Sequence, residues 1–533
     1  MSKAPKTSPN IAEIERMQSA EVLSMLLSKD ARIDALMQKV DALMRRVEWF
    51  ERQHFGSRSE RFIAQPDPSQ MHLGEVFRPE PPAPVRHKTI PAHTRRVPGD
   101  PVNEAAEAMP FFDESRVPVH TIHLPNPDIE GLPADQYEVI GEKVSYRLAQ
   151  RPGSYVVLKY VRQVTKRRDT QQVSCPPAPR GVLESSRADV SFAAGLLVDK
   201  FLFHLPLYRQ HQRLEAAGIK VSRPWLTQVA QAVISLLCPI YEAQLDSIRE
   251  SRVKAMDETP IKADRTDHGK MKVSYFWPVY GERDEVCFPF HTSRRAEHVR
   301  EILGFHHAPG SVLLTDGYAA YESYVKKADL THAQCWAHAR RELFEAQSAD
   351  PEGAAEALTQ IQQLYAIEDE IREKKLSGEA RRLHRLTYSK PRVEIFFDWI
   401  ERKFEQHGLK PPTAFTKALE YARSRRAGLS VFLTDPDVAI DTNHLERALR
   451  AIPMGRKAWN FCWTELGAQH VGVIQSLIVT CRLHGIDPYT YLVDVLQRVG
   501  EHPASRVAEL TPRIWKTLFA DKPLRSELHN FRA

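Results

Sequence analysis

The sequence predicts an α/β protein: a core centred on a mixed sheet, preceded by a coiled-coil helix, a small strand-rich module and a helix-turn-helix. Three observations carry that expectation. An apolar stripe of heptad spacing fills residues 11–55. From residue 252 the apolar period shortens from helical to strand-like. Three strand-like runs then precede a helical stretch and a further apolar strand, the order of a sheet crossed by helices.

In the first segment Leu26, Ile33, Val40 and Val47 recur every seven positions. Leu36, Leu43 and Phe50 fall three later, with an interruption at Lys29. A helix docked on its own domain would show a similar stripe. No Pro or Gly breaks it and its other faces are highly polar, which favours self-association and a homo-oligomer. Gly56, in FGSRSERF, can end the helix. Residues 63–105 (QPDPSQ, RPEPPAPVRHK, VPGDP) form a Pro-rich linker. Residues 120–180 carry β-branched alternation with a Gly break, the mark of a small strand-rich module.

Residues 190–250 read as a helix, a turn at Gly218 and a second helix capped by Ser222. Arg223 and Trp225 stand in its first turn, where a recognition helix meets a groove. Purely structural bundles share the pattern, so DNA contact is one of two balanced readings. The α/β region runs from 252 to 460, starting with VKAMDETPIKA, KVSYFWPVYG and EVCFPFHTS, followed by SVLLTDGYAAY. Charged Ala- and Leu-rich helices over about 342–430 form an insertion, and 461–533 is a C-terminal helical region. No internal repeat of fixed period is present.

At 533 residues, two to four domains are expected. The 42% hydrophobic and 27% charged fractions describe a globular chain, and no apolar run of the roughly 20 residues of a bilayer span stands out, so no membrane is expected. The opening segment MSKAPKTSPNIAEIER lacks an apolar h-region, so no secretory signal is expected. Six scattered cysteines make no disulfide framework, which points to the reducing cytoplasm. The net charge of +6 is compatible with a polyanion but does not establish one. Clusters such as VTKRRD, ARREL and GRK would singly be solvated faces. Their recurrent pairing with aromatic residues points to nucleic acid.

Asp257 and Asp316 each close a strand run, in VKAMDET and SVLLTDG. Singly, each reads as a turn or cap aspartate. Together, at neighbouring strand ends, they come within reach of one cation, which offsets the cost of charge at a buried strand end. The third acid is Glu446 in DTNHLERALRAIPMGRK. Leu445, Ala448, Leu449 and Ile452 form a buried helix stripe there, and Arg447 and Arg450 flank the glutamate. On local pattern alone, Asn443 and Glu446 have capping-box spacing, and capping is the favoured reading. Chemistry favours the set, because in-line phosphodiester cleavage can use two divalent ions held by a few carboxylates. The ion would be Mg2+ or Mn2+. Nearby cations, Arg456 and Lys457 among them, would hold a phosphate backbone. Cys335 and His338, in HAQCWAHARREL, would share a helix face with Arg341 and Glu342. They lack the second pair a zinc site needs, so His338 and Arg341 read as positioning residues and Cys335 as a packed core residue.

These blocks together resemble the transposases of the insertion sequence 66 family, over nearly the whole chain and in order. The resemblance rests on FGSRSER, VIGEKVSYRLAQRPGSYVVLKYVR, LPLYRQHQRLEAAGIKVSRPWL, MDET, LTDGYAAY, CWAHARREL, NHLERALRAIPMGRKAWNF and IQSLIVTCRLHGIDPYTYLVDVL. It implies a ribonuclease-H-like catalytic core with an Asp–Asp–Glu triad on Asp257, Asp316 and Glu446. It also implies the terminal inverted repeats and target DNA as partners, and accessory proteins of the same element. The alternatives are a nuclease of the same fold without strand transfer and a domesticated or inactive DNA-binding protein. The family's zinc-finger cysteines are missing: the 120–180 module keeps only Cys175, so that module is expected to fold without zinc and the protein to hold no stoichiometric zinc.

Overall fold

The computed structural model describes residues 111–530, apart from 116, 131, 152–153, 180, 184–185, 266–269, 408–412, 460–461 and 463. The coiled-coil stripe of 11–55 and the linker of 63–105 lie outside the described residues.

The alternating segment after residue 119 forms β1 (Val119–Leu124), β2 (Tyr137–Arg151), β3 (Ser154–Arg167) and β4 (Val173–Ser174). The long β2–β3 hairpin is antiparallel, with β1 parallel to β3 on its other side and β4 also paired to β3. Cys175, just past β4, is a half-buried free thiol. Three helices follow: α1 (Val190–Phe201), α2 (Leu207–Ala216) and α3 (Arg223–Glu250). Gly218, at φ +87°, makes the turn between the last two, a conformation that glycine adopts without steric cost. Ser222 caps α3, its side chain accepting the Trp225 N–H at 3.3 Å.

α3 is the one described helix that bears on the membrane question. It is long and apolar enough to cross a membrane by length and composition. Half of that apolar window is buried in the protein, where Leu226, Val233, Leu237 and Ile240 join the core.

The α/β expectation holds. Each of the three strand-like runs, however, divides into two strands serving two sheets. The runs yield β5 (Val253–Met256) and β6 (Thr259–Arg265), β7 (Met271–Phe276) and β8 (Val279–Gly281), and β9 (Glu285–Cys287) and β10 (Phe290–His291). After α4 (Glu297–Leu303) come β11 (Val312–Thr315), α5 (Ala319–Ala328) and β12 (Thr331–Gln334). One strand of each pair (β5, β8 and β9) joins the late strands in a five-stranded sheet, ordered β12-β11-β5-β8-β9. β5, β11 and β12 run parallel, while β8 and β9 are antiparallel. The other halves form a smaller sheet, β10-β7-β6. Pro278 and Pro289 sit at two of the breaks, where the missing N–H interrupts the ladder. The Asp257 N–H to Pro278 carbonyl bond at 3.2 Å and the Trp277 N–H to Pro289 carbonyl bond at 2.8 Å tie the corner together.

The insertion supplies α6 (Trp336–Glu345), α7 (Pro351–Glu373), α8 (Gly378–His384), α9 (Lys390–His407), α10 (Ala414–Ser424) and α11 (Arg426–Thr434). Then follow α12 (Asn443–Leu449), α13 (Ala451–Trp459), α14 (Glu465–Leu483), α15 (Pro488–Arg498) and α16 (Pro512–Leu518). α3 and α14 pack on each other and against β9, while α11 lies along β12, so both edges of the large sheet are covered. β5 and β11 are buried at every position, as strands covered on both faces should be.

Candidate active site

The parallel register pairs Val253 with Val312, Lys254 with Leu313 and Ala255 with Leu314. Carried two residues on, past Met256 and Thr315, it sets Asp257 opposite Asp316 at the carboxyl ends of adjacent strands. Strand spacing is about 4.8 Å. β5 is also where the strand order reverses, the position at which open α/β sheets form a crevice.

Glu446 arrives from another direction. The Cys335 N–H continues the sheet by donating to the Thr315 carbonyl at 3.2 Å. Cys335 is buried at the N-cap of α6, not within the helix as the sequence pattern implied. Its sulfur lies 3.3 Å from the Thr442 hydroxyl and accepts the Thr442 N–H at 3.3 Å. The Trp336 N–H donates to the Ile440 carbonyl at 3.1 Å. These bonds dock the start of α12, and so Glu446, beside α6. The capping reading of Glu446 does not hold. The N-cap is Thr442, one residue earlier than the box requires, and no side chain caps the helix. Glu446 Oε1 is instead buried without a hydrogen-bond partner, with Arg341 at 3.6 Å.

Burial, reinforced by the charges of Glu258, Asp316 and Glu446, pushes the Asp257 carboxyl up to about 7, although the Glu258 N–H bond opposes the rise. Asp316 accepts the Tyr318 N–H at 2.9 Å. Carboxylate oxygens of Asp257, Glu258 and Asp316 lie within 4.8 Å of one another. Three crowded acids and an orphaned fourth carboxylate oxygen suit a hard divalent cation, which takes oxygen ligands and relieves their repulsion.

His338, on α6, faces the same acids. Its imidazole is held below its ordinary range by burial and by Arg341, opposed by Asp316 and Glu446. Its Nδ1 is buried without a partner. Arg341 on α6, Arg447 on α12, Arg450 at the C-cap of α12 and Lys457 on α13 are exposed. Arg456 is half-buried and donates to the Pro260 carbonyl at 2.6 Å. Far along the chain, Arg223 is exposed over the Tyr208 ring at 5.1 Å, whereas Trp225 is half-buried and stacked on Phe192 at 5.6 Å.

Sequence reasoning missed Glu258, Arg294 and Tyr321. Glu258 accepts the Tyr321 hydroxyl at 2.6 Å and pairs with Arg294. Burial raises its carboxyl above the ordinary range, the two hydrogen bonds pull against that, and Asp316 adds to it. Arg294 in turn lies over the Tyr318 ring at 4.1 Å. The adjacent acids of MDET and the tyrosines of LTDGYAAY were the available signals. Gly317 sits at a close approach: a Cβ there would lie 2.6 Å from the Arg425 guanidinium and 2.8 Å from the Tyr421 ring, so both would have to shift.

Residues 185–470 match the sequence profile described as "Transposase IS66 family", and residues 476–513 match the "IS66 C-terminal element". The chain is 30% identical over 402 residues to the uncharacterized protein y4hP of Sinorhizobium fredii, covering 71% of each. It is 31% identical over 400 residues to the uncharacterized protein y4jD of the same organism, covering 71% of this chain and 76% of the relative.

Proposed function

From the premise that this chain belongs to the IS66 family of transposases, we propose that it cuts element ends and joins them to target DNA, using Asp257, Asp316 and Glu446. The observation that carries this reading is the gathering of the three acids. Asp257 and Asp316 lie across one parallel register, and Glu446 bears on the Asp257 carboxyl while one of its own oxygens stays buried without a hydrogen bond. The strand order, three antiparallel neighbours followed by two parallel ones, supports a ribonuclease-H-like core.

Asp257, Asp316 and Glu446 would hold Mg2+ or Mn2+, which when bound activates a water or 3′-hydroxyl and neutralises the leaving oxygen. The protein's own groups do the rest. Burial pushes the Asp257 carboxyl up to about 7, and a bound cation would favour its ionised form. Arg341 sits at the edge of the acids, where it can meet a scissile phosphate while keeping Glu446 turned inward. Arg447, Arg450 and Lys457 would fix the phosphate backbone, and Arg456 would brace α13. The α2–α3 pair, with Arg223 exposed at the start of α3, would contribute end recognition.

Asp257→Asn, Asp316→Asn and Glu446→Gln should each lower cleavage of an element end about a thousand-fold, the loss of roughly 4 kcal/mol of charge stabilisation. Gel-shift affinity for the same end should stay close to wild type. Cleavage retained in all three variants would refute the assignment. Joining from a pre-cut 3′-hydroxyl end separates a transposase from a nuclease of the same fold, because only the transposase converts it to a joined product.

A further inference from the structure

We propose that His291, His298 and Glu301 form a binding site for a divalent transition-metal ion of the zinc class, separate from the carboxylate cluster. His291 closes β10, while His298 and Glu301 lie three apart on α4 and so share a face. One donor atom from each lies within 4.8 Å of the other two. Glu301 Oε2 is 2.9 Å from His298 Nδ1 and 3.4 Å from His291 Nδ1. Metal–nitrogen and metal–oxygen bonds of about 2.0–2.1 Å give tetrahedral ligand edges of about 3.3–3.4 Å, so only small shifts are needed.

Two further features mark the trio as a prepared ligand set. The imidazoles stack with centroids 4.2 Å apart and planes 22° apart, and both turn Nδ1 towards the same carboxylate. The other nitrogen of His298, Nε2, lies 2.6 Å from the Ser293 hydroxyl. Without an ion, Nδ1–H donates to the Glu301 carboxylate and Nε2 accepts from Ser293. With an ion bound, the proton would sit on Nε2 and be donated to Ser293, freeing the Nδ1 lone pair, the outer support that ligating histidines have. Two imidazoles and one carboxylate suit zinc and its neighbours, whereas magnesium prefers oxygen alone. Glu301 is exposed, so water can complete the shell.

The site would staple β10 to α4 across residues 292–296. That loop delivers Arg294 to Glu258, beside Asp257. The ligands differ from the finger cysteines on whose absence the expectation of a zinc-free protein rested, and a zinc-class ion at this site departs from that expectation.

The test uses the untagged full chain, stripped with chelator and titrated with Co2+ in the presence of a large excess of Mg2+, which competes for the carboxylate cluster. One equivalent should bind with a visible absorption band free of thiolate charge transfer. Glu301→Gln and His291→Gln should each weaken binding at least ten-fold, with folding checked by circular dichroism. Ser293→Ala should weaken it about ten- to a hundred-fold while leaving every ligand in place. No bound equivalent, a thiolate band assigning the ion to Cys335, or unchanged affinity in both ligand variants would overturn the proposal.

Discussion

Asp257 offers a direct physical readout of the acid cluster. Its carboxyl titrates near 7 in the folded protein, against about 4 in an unfolded chain. A raised value means that the stability it contributes is complete below about pH 4 and is lost as pH climbs through 7. In metal-free protein, the gain in melting temperature from Asp257→Asn should therefore grow between about pH 4 and pH 7, reach several degrees and level off. Saturating Mg2+ should remove that gain by stabilising the wild type alone, and a pH-independent difference would contradict the burial argument. On the exposed flank, Lys457→Ala should weaken DNA binding equally for all sequences and lower the slope of log affinity against log salt by about one, measured by titration. The strand-end placement of Asp257 and Asp316 was legible in the sequence because each directly follows an apolar strand. The Glu258–Arg294–Tyr321 cluster was not, because its members meet only when β5, the β10–α4 loop and α5 converge. The capping pattern at Asn443 misled by one residue, since the helix begins from Thr442.

β9 and α14 show how an element is held where the sheet would otherwise be open. β9 is an edge strand, and its outward groups are satisfied by helix side chains. The Val286 N–H donates to the Thr480 hydroxyl at 3.2 Å, the Phe288 N–H donates to the Ser476 hydroxyl at 2.9 Å, and the Gln244 amide donates to the Val286 carbonyl at 2.8 Å. Thr480→Val should cost about 1–3 kcal/mol in denaturant unfolding, the penalty of a buried N–H left without its acceptor. Gly472 lets the helix come this close, since a Cβ there would lie 2.3 Å from the Phe288 carbonyl oxygen. Gly472→Ala should destabilise by about 1–3 kcal/mol through overpacking, checked in the same experiment. The strand-like character of these runs was plain from β-branched and aromatic content. Their division between two sheets was not, because a proline in a run signals an interruption without saying which partner each half takes.

Across the whole chain, the heptad stripe of residues 11–55 remains a proposal drawn from sequence: these residues tie protomers together. Removing them should lower the oligomeric state seen by light scattering, and should impair joining of paired ends more than nicking of one end. Normal assembly and joining by the truncated chain would assign the stripe to packing within one protomer. The described part obeys a geometric constraint of its own. β6 continues directly from Asp257 and Glu258, and its far part is bridged to the backbone just beyond α13: the Cys462 N–H donates to the Lys262 carbonyl at 2.9 Å and the Asp264 N–H to the Cys462 carbonyl at 3.2 Å. Arg456, on α13, reaches the Pro260 carbonyl between those points. In an engineer's terms the strand is a tie rod, anchored at one end to the first acid and at the other to the arm that carries the third. The span between Asp257 and Glu446 is thus gauged by a member that supplies no acid at all, and a pull on β6 would rescale the jaw proposed to grip the phosphate.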